Sequence, residues 1–275
     1  KYILYGIFIL NIKKKGETMK ILTFANPKGG AGKTVSSINF AYALSRLGYK
    51  TLLIDTDPRG GVSICLGMEN ENTLFDLIKE YNEGFVEDVE KYINHKNGVD
   101  VVISDYEIAK FDSYFDADTV SATFIMKNLI SEFFKEYDFI VIDTEGTVNS
   151  LTASILYATQ DIFIPTQASN LDLTGVRDIL GLSKNISRQN AELKIKKVFL
   201  IRAKMNTIAF KEFQNSLESF FDEQQFSKVA IRENQDIINA VNSQLDIFTY
   251  RNSSNGAIDY RNLVDEYIEE LQKEI

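Results

Sequence analysis

The sequence has few of the side chains from which disulfide frameworks and zinc sites are built. It contains one cysteine and one histidine among 275 residues, together with three prolines and no tryptophan. The single cysteine, Cys65, excludes a disulfide within the chain, and with His95 it is too few for a zinc site. Such cysteine usage is typical of a protein of the reducing cytoplasm. We expect His95, in the polar segment 93–98, to be a surface turn residue.

A surplus of positive charge is also lacking. The formal net charge is −9, and charged residues make up 25% of the chain. This acidic balance argues against a general attraction to DNA or anionic lipid, although it leaves room for a local basic patch. The hydrophobic fraction of 44% is sufficient for a substantial core, and 275 residues suit one large α/β domain or two small ones.

The N-terminal segment lacks a hydrophobic run long enough to span a membrane. The run in residues 2–10 is shorter than the roughly 20 residues that a bilayer requires, and lysines follow it instead of preceding it as in a signal peptide. Residues 1–18 are rich in amino acids that AT-rich DNA encodes, and Lys-Gly-Glu at 15–17 can be encoded by a ribosome-binding sequence. We therefore expect Met19 to be the true start and residues 1–18 to be a translated leader, the alternative being a short apolar or disordered arm.

From Met19 onward, apolar segments alternate with segments of helical periodicity. The expected strands are 20–25, 51–55, 99–105, 138–143, 161–167 and 196–203, and the expected helices are 33–48, 73–82, 118–136, 171–189, 207–223 and 256–273. The expected inward side of the first helix comprises Ile38, Ala41, Tyr42, Leu44, Ser45 and Leu47. This alternation predicts a single domain, 19–275, with a doubly wound, mostly parallel sheet covered by helices on both faces.

The first motif that carries chemistry is the glycine-rich loop between the first strand and the first helix. It reads NPKGGAGKT over residues 26–34. Glycines let consecutive backbone N–H groups converge on an anion, and the helix adds its positive N-terminal end. Lys33 can reach the β- and γ-phosphates of a nucleotide, and the Thr34 hydroxyl can bind Mg²⁺. The expected phosphate-binding residues are Lys28, Gly29, Gly30, Ala31, Gly32, Lys33, Thr34 and Val35.

Acidic residues follow two of the other predicted strands. Asp55 and Asp57 end the second strand two residues apart, and side-chain alternation turns both carboxylates toward the loop. They would repel a triphosphate unless a cation such as Mg²⁺ lay between them. Asp143 ends another apolar strand, where an acid accepts a hydrogen bond from metal-bound water. Glu145 has the chemistry of a catalytic base, but a solvated loop position is the preferred interpretation.

The loop lacks the first glycine of the general pattern G-x-x-x-x-G-K-[ST] and carries Lys28 at its start. In this it resembles the deviant Walker A motif of ParA-type partition ATPases. The resemblance implies that Lys28 reaches across a dimer to the partner's ATP, that Asp57 orients the attacking water and that Asp55 holds a magnesium-bound water. The expected catalytic residues are thus Lys28, Lys33 and Asp57, and the expected Mg²⁺ residues are Thr34, Asp55 and Asp143.

Two loops depart from the ParA pattern. Where the family has D-x-D-P-Q-G-N, this chain has Arg59 in place of Gln and Gly61 in place of Asn. After Asp143 the family continues D-x-P-P, whereas Glu145 and Gly146 stand here in place of the prolines. We expect the second loop to be more mobile for that reason.

The C-terminal third resembles the family's late segment, in which an I-P-x-N-like turn precedes a helix and a G-A-x-D-Y-like stretch opens the last helix. The matching residues are Ile231, Asn234, Gly256, Ala257, Asp259 and Tyr260. Arg232 replaces the family proline that often backs the adenine, so we assign adenine contacts to Arg202 or Arg232.

Other proteins with this loop fit the sequence less well. One cysteine cannot supply the paired cysteines of nitrogenase iron protein. The last helix is acidic opposite its apolar stripe, unlike the basic membrane-binding helix of division-site ATPases. That stripe is expected to face the core and consists of Leu263, Val264, Tyr267, Ile268 and Leu271.

The resemblance to partition ATPases implies a cytoplasmic, membrane-free homodimer with ATP and Mg²⁺, a centromere-binding ParB-like partner, and DNA binding without sequence preference at the nucleoid. The basic residues considered for DNA are Lys194, Lys196, Lys197, Arg202, Lys204, Lys228, Arg232 and Arg251. A second hypothesis is a nucleotide-gated binding module with little turnover, such as a corepressor or a cargo positioner.

Overall fold

The computed structural model describes residues 19–167, 170–203 and 221–274. Its strands are β1 (Lys20–Phe24), β2 (Thr51–Asp55), β3 (Asn94–Lys96), β4 (Val99–Val102), β5 (Phe139–Asp143), β6 (Asp161–Thr166) and β7 (Lys194–Leu200). They form one sheet in the order β3-β4-β2-β5-β1-β6-β7. Neighbouring strands are parallel except for β3 and β4. The predicted mostly parallel sheet is therefore confirmed.

Helices cover both faces of this sheet. They are α1 (Lys33–Arg46), α2 (Gly61–Leu66), α3 (Leu74–Glu83), α4 (Phe111–Tyr114), α5 (Thr119–Phe133), α6 (Ser150–Ala158), α7 (Asn170–Ile186), α8 (Gln235–Asn242), α9 (Ile247–Arg251) and α10 (Asn255–Glu274), with 3₁₀ turns at Glu90–Tyr92, Tyr106–Lys110 and Glu223–Gln225. The predicted helices correspond to α1, α3, α5, α7 and α10, except that the segment 207–223 falls almost wholly outside the described residues. The leader 1–18 and Lys204 also lie outside them. Within the described ranges, no helix combines the length and the apolar character that crossing a membrane requires.

Several short helices escape the sequence pattern because they are too short, or too buried all round, to show a helical period. Their N-caps were the available signal. Asn149 accepts a hydrogen bond from the Thr152 N–H and starts α6. Asp246 accepts from the Phe248 N–H in the same way and starts α9. An Asn or Asp side chain at this position satisfies a backbone donor that the first helical turn leaves without a partner.

The antiparallel edge of the sheet corrects the prediction for His95. His95 lies on β3, a hairpin strand, and the turn itself comes two residues later. Asn97 and Gly98 have φ of 51° and 88°, the left-handed values that a two-residue hairpin turn requires. The His95 ring is exposed, and its Nδ1 lies 2.7 Å from Oδ1 of Asp100. His95 is a surface residue, as predicted, but belongs to a strand.

The strands divide their side chains between two cores. Leu53 of β2 packs with residues of α1 and α10 on one face, whereas its neighbours Leu52 and Ile54 pack with α3, α5 and α6 on the other. The helix α1 lies between the sheet and α10, so Ser36 through Leu44 are all buried. The prediction of one inward side for α1 was therefore too narrow, and Ser45 lies at the rim, where its hydroxyl donates to the Gly98 carbonyl.

The last helix packs as predicted. Its apolar stripe is buried, and Tyr267 within it donates a hydrogen bond of 2.7 Å to Oδ2 of the buried Asp161 at the start of β6. At the other end of the helix, the Tyr260 hydroxyl lies 3.2 Å from Ser36 Oγ of α1. These contacts join α10 to both α1 and the sheet, close to the loop that precedes α1.

Candidate nucleotide-binding site

The C-terminal ends of three adjacent strands meet at the centre of the sheet. Asp143, the last residue of β5, is in register with Asp55 at the end of β2 and with Phe24 at the end of β1. The glycine-rich loop leaves β1 at this edge and leads into α1. In open α/β sheets, ligands bind outside the carboxyl ends of the strands. The predicted motifs are therefore brought together at one place.

The glycine-rich loop is anchored from below by Asn26. Its buried amide donates to the Pro165 carbonyl at 2.9 Å, and its Oδ1 accepts from the Lys28 N–H at 3.0 Å. A Cβ on Gly175 of α7 would lie 2.5 Å from Asn26 Oδ1, so α7 packs closely against the Asn26 side chain. Asn26 is not among the predicted site residues, although a polar residue directly after a buried strand was a usable signal.

The loop itself turns at two glycines. Gly30 and Gly32 have φ of 75° and 74°, in the left-handed region where a side chain is strained. Gly32 is also the N-cap of α1, and a Cβ there would collide with Ile201 of the segment after β7. The backbone N–H groups that follow are the free donors of the first turn of α1. The loop therefore has the conformation that phosphate binding requires.

Lys33 lies on the first turn of α1 and is only 7% exposed. Burial lowers the pKa of its ammonium, and the carboxylates of Asp143, Asp57 and Glu145 act against that. A buried cation among carboxylates would be attracted to an incoming polyphosphate. Thr34 is the next residue, and a Cβ on Gly61 would come within 3.2 Å of its Oγ1. Gly61 thus allows the loop after β2 to approach Thr34 closely.

Asp55 is fully buried and already has partners. Its Oδ1 accepts from the Asp57 N–H and its Oδ2 from the Val62 N–H, each at 3.0 Å. Burial and the nearby Asp143 nevertheless raise the pKa of the Asp55 carboxyl well above its usual value, against the effect of these hydrogen bonds. Asp55 therefore fixes the turn that carries Asp57.

Asp143 is fully buried, and neither of its carboxylate oxygens has a hydrogen-bond partner among the described residues. Burial raises the pKa of this carboxyl to about 7, although the Lys33 ammonium and the nearby hydroxyls of Thr34 and Ser37, which do not reach hydrogen-bond geometry with it, lower it. Buried carboxylates normally have a partner, so these two oxygens fit a cation or its bound water. The structure thus fits a Mg²⁺ held near Thr34, Asp55 and Asp143.

Protein side chains alone would not complete such a metal site. Among the described residues, no group of three or more His, Cys, Asp and Glu side chains is arranged to hold a metal ion. Mg²⁺ is usually bound by one or two carboxylates together with waters and substrate phosphates. The arrangement is therefore that of a metal that arrives with a polyphosphate.

Asp57 is half-buried at the start of a tight turn. Its Oδ1 accepts from the Arg59 N–H at 2.9 Å, and its carbonyl accepts from the Gly60 N–H at 2.9 Å. Gly60 has a left-handed φ of 61°. A Cβ on Gly60 would lie 3.1 Å from the backbone carbonyl oxygen of Ser104. The turn holds the Asp57 carboxylate at the wall of the same cavity as Lys33.

The loop after Asp143 forms the opposite wall. Glu145 is half-buried and accepts a hydrogen bond from the amide of Asn149, the residue that caps α6. A Cβ on Gly146 would lie 3.0 Å from the Pro27 carbonyl and 3.8 Å from the Lys33 ammonium. Glu145 is a partly exposed loop residue, as expected, and in addition it is held by Asn149 beside the phosphate loop. The expected mobility of this loop stays a prediction.

These elements enclose a cavity of about 480 Å³. Its lining comprises Pro27, Gly29, Gly30, Gly32, Lys33, Thr34, Val35, Asp57, Arg59, Gly61, Glu145, Gly146, Thr147 and Arg202. Predicted phosphate-loop residues account for much of this lining. Lys28 is half-buried at the start of the loop but is not part of the lining, so the structure does not bring it to the cavity of its own chain.

A second cavity, of about 260 Å³, adjoins the first at Gly32, Val35 and Arg202. Ile201, Ile231 and residues of α8 make it largely apolar. Arg202 has a left-handed φ of 48° and lines both cavities. Arg232 lines the second cavity, and its guanidinium is held by Asp259 through bonds of 2.7–3.1 Å. Both predicted adenine residues thus lie beside a space suited to a flat apolar ring.

The basic residues considered for DNA are mostly engaged within the chain. Lys196 and Lys197 of β7 are 7% and 2% exposed, and their ammonium groups contact Glu270 of α10 at 3.3 and 2.5 Å. Lys194 contacts Glu274 at 3.0 Å. Arg232 pairs with Asp259 at 2.7 Å, and Arg251 pairs with Asp236 at 3.3 Å. The expected basic patch is therefore neutralised at these positions by neighbouring carboxylates.

Comparison with known proteins agrees with this site. A family profile described as an AAA domain matches residues 19–195. The chromosome-partitioning ATPase Soj of Treponema pallidum is 30% identical over 90% of this chain and 97% of its own length.

Two solved structures share the fold. Cobyrinic acid a,c-diamide synthase of Mycobacterium smegmatis, with bound ADP and magnesium, has a TM-score of 0.78 at 20% identity, covering 94% of this chain and 97% of its own. A plasmid partition protein of Borrelia burgdorferi, bound to AMPPNP, has a TM-score of 0.74 at 21% identity, covering 91% and 99%. These two structures show the fold, whereas the family profile and the 30% identity to Soj show the family. The chain belongs to the AAA domain family and to the ParA-type partition ATPases.

Proposed function

We propose that residues 19–275 act as one ATPase domain that binds ATP with Mg²⁺, dimerises, and hydrolyses ATP in the service of plasmid or chromosome partition. The observation that carries this proposal is the position of three features at one edge of the sheet: the glycine loop with its left-handed residues, the buried Lys33, and the Asp143 carboxylate, which has no hydrogen-bond partner in the described part of the chain. A polyphosphate would satisfy the first two groups, and its cation the third.

The chain's own residues divide the work of hydrolysis. The loop N–H groups and Lys33 bind the phosphates, and Thr34, Asp55 and Asp143 hold the cation, which supplies charge neutralisation when it is bound. Asp57 accepts a hydrogen bond from the attacking water and orients it toward the terminal phosphate. The adjoining apolar cavity receives the base, with Arg202 and Arg232 at its wall.

Lys28 acts in trans. Its position outside the lining of its own cavity supports a role at the partner's ATP. A positive charge supplied by another subunit stabilises charge that develops in phosphoryl transfer and makes turnover depend on assembly. The ATP-bound state is therefore the dimer, and hydrolysis returns the protein to monomers. The similarity to Soj, a chromosome-partitioning ATPase, supports partition as the process that this ATPase serves. A ParB-like partner that stimulates hydrolysis and an association with nucleoid DNA complete the proposal.

Phosphate release should be measured with the protein alone, with nonspecific DNA, and with DNA plus the product of the neighbouring gene. We expect slow basal turnover that rises when DNA and partner are present together. Absence of turnover under all three conditions, with ATP still bound, would instead favour a nucleotide-gated binding module. Absence of ATP binding would contradict both functions.

A further inference from the structure

Arg59 is an exposed residue that lines the phosphate cavity. It follows Asp57 by two residues, and the hydrogen bond from its N–H to Asp57 Oδ1 fixes its backbone at 2.9 Å from that carboxylate. Its side chain lines the cavity together with Lys33 and Thr34. Its charge is close enough to lower the pKa of the Lys33 ammonium. Two cations without an intervening anion repel each other, so an anion between them would be favoured.

The opposite wall carries an additional negative charge. Glu145 lines the same cavity, acts on Lys33 with the opposite sign, and is held by Asn149. The ParA-type pattern has Gln at the position of Arg59 and Pro at that of Glu145, so this chain carries one charge of each sign where that pattern has none. A carboxylate beside a triphosphate weakens its binding unless a cation offsets it.

We propose that Arg59 is a catalytic residue acting in cis, whose guanidinium contacts the terminal phosphate of ATP and offsets the charge of Glu145. This inference rests on the proposed function. A guanidinium offers paired N–H donors that match phosphate oxygens, which the Gln of the family cannot match in charge. It would add, within each chain, to the charge that Lys28 supplies from the partner.

The position of Arg59 predicts that substituting it weakens the binding of ATP more than the binding of ADP. ADP lacks that phosphate, so its affinity should depend little on Arg59. In Arg59→Gln we expect the Kd for ATP to rise about tenfold to a hundredfold and kcat to fall by about tenfold or more, whereas the Kd for ADP changes less than about twofold. Arg59→Lys keeps the charge without the paired donors and should lie between Arg59→Gln and the wild type.

The test uses the full chain and measures both Kd values by titration with fluorescent nucleotides and kcat by phosphate release. Arg188→Gln removes an exposed arginine of the residues after α7 and serves as the matched control. Because Arg59 is exposed, the variants should fold, which thermal unfolding checks. An equal loss of ATP and ADP affinity, or no loss of either, would overturn the proposal for Arg59.

The double variant Arg59→Gln/Glu145→Gln separates phosphate contact from charge balance alone. If Arg59 contacts the phosphate, turnover stays low in the double variant even when ATP affinity partly recovers. Full recovery of turnover would overturn the contact. If the wild type hydrolyses ATP and Arg59→Gln hydrolyses it equally well, only this inference is refuted. If the wild type does not bind ATP, the proposed function is refuted as well.

Discussion

Asp55 and Asp143 are register partners on adjacent parallel strands, yet only Asp55 has its carboxylate satisfied by backbone N–H groups among the described residues. The difference divides two otherwise equivalent acids. Asp55 holds the turn that presents Asp57, and Asp143 retains two buried oxygens for a cation or its water. We therefore expect a positively charged ligand at Asp143 to raise the stability of the protein.

Asp143→Asn should raise the stability of the nucleotide-free protein while removing its response to Mg²⁺ and ATP. The amide keeps the shape of the side chain and removes a buried charge that accepts no hydrogen bond from the described residues. We expect the Tm without ligand to rise by about 2–4 °C for each kcal/mol gained. Thermal unfolding with and without Mg²⁺ and ATP measures both effects, and the exposed Asp116→Asn is the control. A variant that gains as much from Mg²⁺ and ATP as the wild type would contradict the assignment.

The same pair of proteins should differ in their pH dependence. Burial raises the pKa of Asp143 from 3.8 to about 7. The Asp143 carboxyl therefore holds its proton more tightly in the folded protein than in the unfolded chain. The free energy of unfolding consequently falls as the pH rises from the unfolded pKa toward about 7. Without Mg²⁺, the Tm advantage of Asp143→Asn should grow between about pH 4 and about pH 7 and level off above that. An advantage that stays constant over this range would show that Asp143 does not titrate there.

Lys33→Ala should abolish binding of ATP and ADP alike. The buried ammonium is removed from the first turn of α1, where it faces the phosphates common to both nucleotides. Titration with fluorescent nucleotides measures the loss. Lys127→Ala, which removes an exposed lysine of α5, should bind both nucleotides as the wild type does. Retained affinity for ADP in Lys33→Ala would place Lys33 at the terminal phosphate only.

Asn26→Ala should destabilise the protein and weaken nucleotide binding together. It removes the buried amide that joins the phosphate loop to the Pro165 carbonyl, leaving that acceptor unsatisfied. The free energy of unfolding should fall by about 1–3 kcal/mol. Urea unfolding measures this loss, and a binding titration measures the second effect. Loss of stability with unchanged ATP affinity would show that Asn26 supports the fold without shaping the loop.

Arg232→Ala should weaken ATP and ADP equally, in contrast to the effect expected at Arg59. Arg232 lines the apolar cavity and not the phosphate cavity, so any contact with the base is shared by the two nucleotides. Binding of ATP, ADP and inorganic triphosphate separates the parts of the ligand. Triphosphate affinity should stay as in the wild type, and a loss there would remove Arg232 from the base site.

Much of the site was accessible from the sequence because phosphate binding constrains local chemistry. Lys33, Thr34, Asp55 and Asp143 follow buried strands or open a helix, and that placement is visible in hydrophobic periodicity. The hydrogen-bond partners of Asn26 and Asn149 were not accessible in this way, because the Pro165 carbonyl is distant in the chain and the cap of α6 exists only in the folded loop.

The ion pairs of the basic residues could not be predicted from the sequence. Lys196 and Lys197 read as surface charge in the sequence, since nothing in β7 itself indicates that the glutamates of α10 lie beside them. Long-range ion pairs depend on which elements pack together, and composition does not carry that information. The same applies to Glu145, whose partner Asn149 becomes apparent only once the α6 cap is formed.

The central claim is that Lys28 acts on the partner's ATP, and mixing two inactive variants tests it most directly. Lys28→Ala should bind ATP without hydrolysis, and Asp57→Ala should bind ATP and dimerise without hydrolysis. In a mixed dimer, the Lys28→Ala chain has its own Asp57 and receives Lys28 from its partner, so one site is complete. An equimolar mixture should recover about a quarter of wild-type phosphate release, because half of the dimers are mixed and each holds one complete site. A mixture as inactive as its components would show that Lys28 acts in its own chain and would contradict the account.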